Sequence, residues 1–168
     1  EIVGLSFAIE PGEAAYVPLA HLNPGLEGQL DRDRILDQMK PLLESDAVKK
    51  VGQHLKYDAN VLANHGITLR GIAHDTMLQS YIIDAVGSRH DMGSLALKYL
   101  GQRVISFEEV AGKGAKQVSF DHVDIEQAAA YAAEDADVTL RLHETLMSKL
   151  EAEASLNEVY QRLELPLV

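Results

Sequence analysis

Tyr131 and Asp135 stand four residues apart in Tyr131-Ala132-Ala133-Glu134-Asp135. A helix stacks such a pair on one face, one turn apart. A phenol held beside a carboxylate can position a water molecule next to a divalent cation. A second carboxylate, Asp58, closes the stretch Val51-Gly52-Gln53-His54-Leu55-Lys56-Tyr57-Asp58. Aspartate is a mediocre helix former, so it is a useful marker when it falls mid-helix on an otherwise apolar face. Two such carboxylates on separate helices, converging on one cleft, would form part of a metal-dependent phosphoryl-hydrolysis site. The expectation is therefore spatial: the side chains of Asp58 and Asp135 should meet.

Plainer readings stand beside these. Asp58 could be a solvated helix residue, and Asp135 one more acid in the run Glu134-Asp135-Ala136-Asp137. Asp137 points elsewhere on a helix and is left as a solvated charge. Asp75, between a strand-like and a helix-like stretch, reads first as a helix N-cap and only second as an accessory ligand. The 7 histidines include no close His-x-x-x-His pair, which argues against zinc. Gly112-Lys113-Gly114-Ala115-Lys116 lacks the spacing of a phosphate-binding loop and is expected to be a flexible basic loop.

The elements that must carry these residues follow from patterning. Ile2 to Ile9 alternates, with Val3, Leu5, Phe7 and Ile9 on one face, and reads as a strand. Pro11-Gly12 turns the chain into a return strand, Ala14 to Leu19, and Asn23-Pro24-Gly25 with Gly28 marks a loop. Asp31 or Asp33 caps a helix carrying Ile35, Leu36 and Met39, which Pro41 should end or kink. Lys50-Val51-Gly52 is a short strand, followed by a helix bearing Tyr57 and Asp58 that Gly66 closes. Ile72 to His74 is a further strand, and Asp75 opens a helix through Ile83. Gly93 to Leu100 is a short helix closed by Gly101, and Val104 to Val118 is loop-rich. Asp124-Ile125-Glu126-Gln127 is a capping-box pattern opening a long helix through Leu146, and a last helix around Leu156 to Leu163 stops near Pro166. Strands first and helices later predict an α/β domain with a mixed sheet.

The chain has 168 residues, 46% hydrophobic, enough for one domain with a core. No apolar run reaches the roughly 18 residues that a membrane span needs, and no secretory leader is visible. Without cysteine there are no disulfides, which fits a cytoplasmic protein. The net charge of −11 argues against a broad nucleic-acid-binding face. Divalent cations at the site and local bases (Lys56, Arg89, Lys113, Lys116) could offset it for a few nucleotides.

Gln53-His54-Leu55-Lys56-Tyr57-Asp58 resembles the second exonuclease motif of the proofreading 3′–5′ exonuclease domain of bacterial DNA polymerase I. Tyr131-Ala132-Ala133-Glu134-Asp135 resembles its third motif, in the tyrosine-bearing branch of the DEDD exonucleases. Arg89-His90-Asp91-Met92, Ile105-Ser106-Phe107-Glu108-Glu109, Ala111-Gly112-Lys113-Gly114 and Pro166-Leu167-Val168 resemble further segments in the same order. The resemblance implies a ribonuclease H-like fold, a mixed sheet flanked by helices. Residues 1–163 would form the exonuclease domain and 164–168 the start of a junction to a polymerase domain in the same parent chain.

It further implies catalytic roles for Tyr131, Asp58 and Asp135. Asp58 and Asp135 would be ligands to two Mg²⁺ or Mn²⁺ ions. Gln53, His54, Tyr57, Arg89 and Phe107 would contact the single-stranded DNA 3′ end. Two departures qualify this. The family's first motif, an Asp-x-Glu pair on the first, central strand, falls upstream of Glu1, so this chain by itself is expected to be inactive or nearly so. His54 stands where the family usually has asparagine. Two alternatives remain: an exonuclease-like scaffold that has lost catalysis and braces a polymerase, and a ribonuclease of the same superfamily.

Overall fold

In a computed structural model, the structure describes residues 1–23, 29–87 and 89–168. The expected loop residues Pro24, Gly25 and Gly28 lie outside them. Strands β1 (Gly4–Glu10) and β2 (Glu13–Pro18) form an antiparallel hairpin in which Leu5 faces Val17 and Phe7 faces Ala15. A register shift between Ala8 and Glu10 breaks the alternation at the hairpin end. Ile9 is consequently 85% exposed rather than sharing the face of Leu5 and Phe7, and Ile2, just before the strand, is the buried residue instead.

Helix α1 (Arg32–Leu43) is capped by Asp31, whose side chain accepts the Arg34 N–H at 2.8 Å. The helix runs through Pro41 to Leu43. Pro41 sits in the last turn, where it cannot donate to the Asp37 carbonyl, and the helix ends two residues beyond it. Strand β3 (Lys50–Gly52) pairs in parallel with β4 (Ile72–Asp75), and helix α2 (Leu55–Ala63) lies on the crossover between them. The sheet thus contains antiparallel and parallel pairings, but in two separate two-stranded ladders among the described residues.

Asp75 opens α3 (Thr76–Ile83) as the sequence predicts. Helix α4 (Met92–Leu95) continues into a π-turn over Ala96–Leu100, which Gly101 closes at φ 64°. In the stretch expected to be loop, Ser106 and Glu109 build a capping box for a short helix, α5 (Phe107–Ala111). Helix α6 (Ile125–Ala152) is the spine, and Asp124 caps it by accepting the N–H groups of Glu126 and Gln127. Helix α7 (Ala154–Val159) passes into a π-turn over Tyr160–Glu164 and a final 3₁₀ turn.

Helix α6 packs on β1, β2, β3 and α3. Its buried small residues, Ala128 and Ala132, let its first half approach the neighbouring chain closely, and Ala128 joins Ala111 and Val123 in one core cluster. Val138, Leu142 and Leu146 further along bury against Leu95 and Ala96. A third cluster gathers Ile2, Leu19, Leu36, Leu43, Leu62 and Ile67 from the hairpin flanks, α1 and α2. Helix α6 is packed against these elements along the stretch from which Tyr131 and Asp135 project.

Candidate active site

Tyr131 and Asp135 occupy successive turns of α6, both partly buried. Burial is the main reason the Asp135 carboxyl is pushed up to about 6; the Glu134 charge adds to this and the Tyr131 hydroxyl opposes it. Burial, together with the charge of Asp135, pushes the Tyr131 phenol far above its ordinary value, so it stays protonated at neutral pH. The Phe107 ring stands edge-on to Tyr131, centroids 6.3 Å apart at 67°. Phe120 touches both rings, at 5.9 Å from Tyr131 and 6.3 Å from Phe107. An aromatic wall therefore flanks Tyr131, and Phe107, 38% exposed, is its outer edge.

The second group leaves the sheet where β3 ends. Leu55 folds back over Gly52 so closely that a side chain at residue 52 would collide with it. The next turn is opened by His54 in the left-handed region, φ 61° and ψ 46°. Asparagine, aspartate and histidine are the non-glycine residues that tolerate this conformation best. The backbone thus explains why histidine can stand where the resembled motif has asparagine. Tyr57 is 65% exposed, its ring 6.3 Å from that of His54. Asp58 sits in the first turn of α2. Crowding by protein atoms, with a smaller push from Asp75, raises its carboxyl to about 6 against the pull of His54. The residue is nevertheless exposed, so solvent reaches it and softens that push.

Among the described residues, neither Asp58 nor Asp135 forms an ion pair with a lysine, arginine or histidine. Carboxylates without a cation partner suit a hard divalent metal by donor chemistry. The fit is partial, because no group of three or more metal-ligating side chains comes together among the described residues. The like charge felt by each acid is a different one, Asp75 for Asp58 and Glu134 for Asp135.

The other expected contact residues divide. Both ends of the Gln53 amide are engaged internally: Nε2 donates to the His90 carbonyl at 2.8 Å, and Oε1 accepts from the Thr76 hydroxyl. Gln53 thereby ties the segment beside Arg89 to the second motif. Arg89 itself projects into solvent, its side chain 88% exposed and 3.4 Å from Asp91. Such a surface pair is weak enough to give way to a phosphate. Lys113 pairs with Glu108 at 3.0 Å.

Asp75 is a cap, as first read, and a double one. Its buried carboxylate accepts Met77 and Leu78 N–H at the start of α3 and Leu55 N–H at the start of α2. Asp137 is structural, accepting from Gly12 N–H at 2.6 Å and from Arg141 at 3.2 Å. Sequence reasoning did not single out Phe120 or Glu134. Nothing in the local pattern marks Phe120, whereas the adjacency of Glu134 to Asp135 was a usable signal.

The domain is α/β, with a phenol and a carboxylate one turn apart on its longest helix and aromatic rings packed against the phenol. Comparison with known proteins is specific: a family described as 3′-5′ exonuclease matches residues 2–151, and the chain belongs to that family. It is 62% identical over 170 residues to DNA polymerase I of Pseudomonas aeruginosa, covering 100% of this chain and 19% of that protein. DNA polymerase I of Rhizobium leguminosarum is 45% identical, with 100% and 18% covered, and that of Chloroflexus aurantiacus is 38% identical, with 100% and 17%. The chain therefore spans about a fifth of the length of these relatives.

A solved structure described as the POL domain of Pol1 from M. smegmatis in complex with DNA primer-template and dNTP superposes with a TM-score of 0.67. It covers 92% of this chain and 22% of that one at 22% identity, a likeness of fold. The chain is thus an enzyme domain of the 3′–5′ exonuclease family with a mixed α/β, ribonuclease H-like architecture. That family is generally dependent on divalent metal. No helix among the described residues is long and apolar enough to cross a membrane.

Proposed function

We propose that this chain is the 3′-end-trimming part of a longer cytoplasmic DNA polymerase I, with residues 164–168 leading into the polymerase portion. It would hydrolyse the terminal phosphodiester of a frayed single-stranded DNA 3′ end and release a nucleoside 5′-monophosphate. The observation that carries this reading is the Asp135 carboxylate: partly desolvated, without a cation partner among the described residues, and set beside a protonated phenol and an exposed aromatic edge.

Asp58 and Asp135 would hold Mg²⁺ or Mn²⁺. Such ions lower the pKa of water and offset charge gathering on the phosphoryl oxygens. Tyr131, kept protonated, would orient the attacking water by a hydrogen bond rather than take its proton. Phe107 and Tyr57 offer exposed rings on which terminal bases can stack. Arg89 offers a guanidinium for a phosphate, and His54 lies beside Tyr57 at the same edge. Gln53 would act chiefly by holding these parts in place.

The test is made in the intact protein. Asp135→Ala should abolish Mg²⁺-dependent shortening of a 5′-labelled single strand while leaving DNA synthesis unchanged. Unaltered shortening would remove Asp135 from the site. One observation favours a second reading for this chain alone, a scaffold bracing a polymerase: two carboxylates without a third ligand among the described residues bind a metal weakly.

A further inference from the structure

Between the π-turn closed by Gly101 and helix α5, five residues, Gln102 to Ser106, deliver Phe107 to its place beside Tyr131. This segment belongs to no helix or strand. An irregular segment keeps one geometry only if its backbone polar groups find fixed partners. The structure supplies one from the helix that carries the acid. Glu134 Oε2 accepts the Ile105 N–H at 2.6 Å, and its Oε1 receives the Gln102 amide at 3.4 Å. Gln102 is held in turn by Arg141, one of whose guanidinium nitrogens donates to its Oε1 at 2.8 Å. At the far end, Glu109 accepts both the N–H and the hydroxyl of Ser106 at 2.8 Å. The segment is pinned at each end, and the pin nearer the acid is Glu134.

We infer that Glu134 is a positioning residue which, by accepting the Ile105 N–H, fixes the Phe107 ring against the Tyr131–Asp135 face and so sets the grip on the terminal base. This deepens the proposed nuclease reading and rests on it. The geometry favours Glu134 because it neighbours Asp135 in sequence yet turns its carboxylate to a backbone donor. Its bond to a backbone N–H is charge-assisted and half-buried, among the stronger kinds of hydrogen bond. Helix α6 thus carries Tyr131 and Asp135 and also sets the distance from them to the aromatic edge. Loss of the pin should be felt in substrate binding more than in the chemical step.

The experiment uses the intact protein and a 5′-labelled single-stranded oligonucleotide in Mg²⁺. Glu134→Ala removes the acceptor and the charge; Glu134→Gln removes the charge but keeps an oxygen for the Ile105 N–H. A stacked base is worth enough that Glu134→Ala should raise KM about tenfold, with kcat changed less than about threefold. Glu134→Gln should restore KM to within about twofold of the parent. Phe107→Ala should raise KM to a similar degree, and Glu134→Ala should add little in that background, because the two act through one ring. A tryptophan reporter introduced by Phe107→Trp should lose fluorescence anisotropy when combined with Glu134→Ala, a readout independent of turnover.

Additive effects of Glu134→Ala and Phe107→Ala would overturn the inference. So would equal damage from Glu134→Gln and Glu134→Ala, or unchanged anisotropy of the reporter. If the parent trims and Phe107→Ala weakens binding but Glu134→Ala does not, only the anchor is wrong. If Asp135→Ala leaves trimming intact, the nuclease reading itself fails.

Discussion

Asp75→Asn tests how the two motif-bearing parts are joined. The Asp75 carboxylate is 1% exposed and accepts three backbone N–H groups: Leu55 at 2.7 Å on Oδ2, and Met77 and Leu78 at 2.9 and 3.2 Å on Oδ1. Asparagine has a single acceptor oxygen. If that oxygen serves α3, the amide NH₂ faces the Leu55 N–H, donor against donor in a dry site. A buried donor left unpaired costs about 1–3 kcal/mol, and the two surviving bonds each weaken by about 1 kcal/mol on losing the charge. Together these come to about 3–5 kcal/mol, and even the lower figure, about 3 kcal/mol, exceeds the roughly 2 kcal/mol that a single N-cap substitution costs at most, because two helices share the cap.

The assay is amide hydrogen exchange by mass spectrometry in the intact protein. Peptides covering residues 53–58 and 76–80 should lose protection by about a hundredfold, since about 1.4 kcal/mol is a factor of ten. Exchange in peptides from α6 beyond Leu142 should change far less. Unchanged exchange in both reporter stretches would refute the reasoning, because the hydrogen bonds assigned to Asp75 would then hold neither helix start. Because Leu55 opens the helix that bears Asp58, the substitution should also slow trimming through the position of that helix.

Other outcomes can be checked on the same protein. His74 and His143 stack at 4.4 Å; burial first, then the charge of His143, pushes His74 down to about 4, and burial alone lowers His143 below its ordinary value; Glu151 pulls His74 the other way, and the uncharged Tyr160 ring and Gln79 complete the surroundings. Both rings are neutral in the fold and titrate lower than in the unfolded chain. Their stabilisation is therefore whole above pH 6.5 and is lost as pH falls toward about 4. Denaturation midpoints at pH 7 and 5 should differ, and His74→Phe should shrink that difference. Tyr160 is fully buried and its hydroxyl accepts the Asp75 N–H at 3.1 Å. Tyr160→Phe strands that donor and should destabilise by about 1–3 kcal/mol, seen as faster exchange at residues 74–76. Tyr131→Phe should slow cleavage while leaving single-strand affinity within about twofold; equal loss of both would point to a folding defect.

Much of the fold was legible because local rules are strong where one residue decides. Asp31, Asp75 and Asp124 cap helices in the structure as the sequence predicts, since a short acceptor just before a helical stretch satisfies orphan N–H groups wherever it occurs. The Tyr131–Asp135 stack follows from helical periodicity alone. Ile9 failed because alternation assumes an unbroken ladder, and the register shift beside it depends on how the partner strand closes the hairpin. Pro41 lies inside the last turn of α1, and the helix stops two residues later, close to the end that the proline marks in the sequence. The helix at Phe107 was hidden by its short length; only its capping box marks it.

The amino-acid order by itself settled which residues could do chemistry and the periodic element on which each would ride, because those depend on neighbours within one helical turn. Only the tertiary structure decided that Gln53 spends its amide inside the chain and that Asp75 serves two helices. It alone decided that Glu134 reaches across to Ile105 and that Phe120 backs both Phe107 and Tyr131. These contacts join residues from 11 to 37 positions apart in the chain, and no local propensity encodes such a meeting. They exist because α6, gripped along its length by the hairpin, β3 and α3, presents its side chains at fixed points to segments that fold against it.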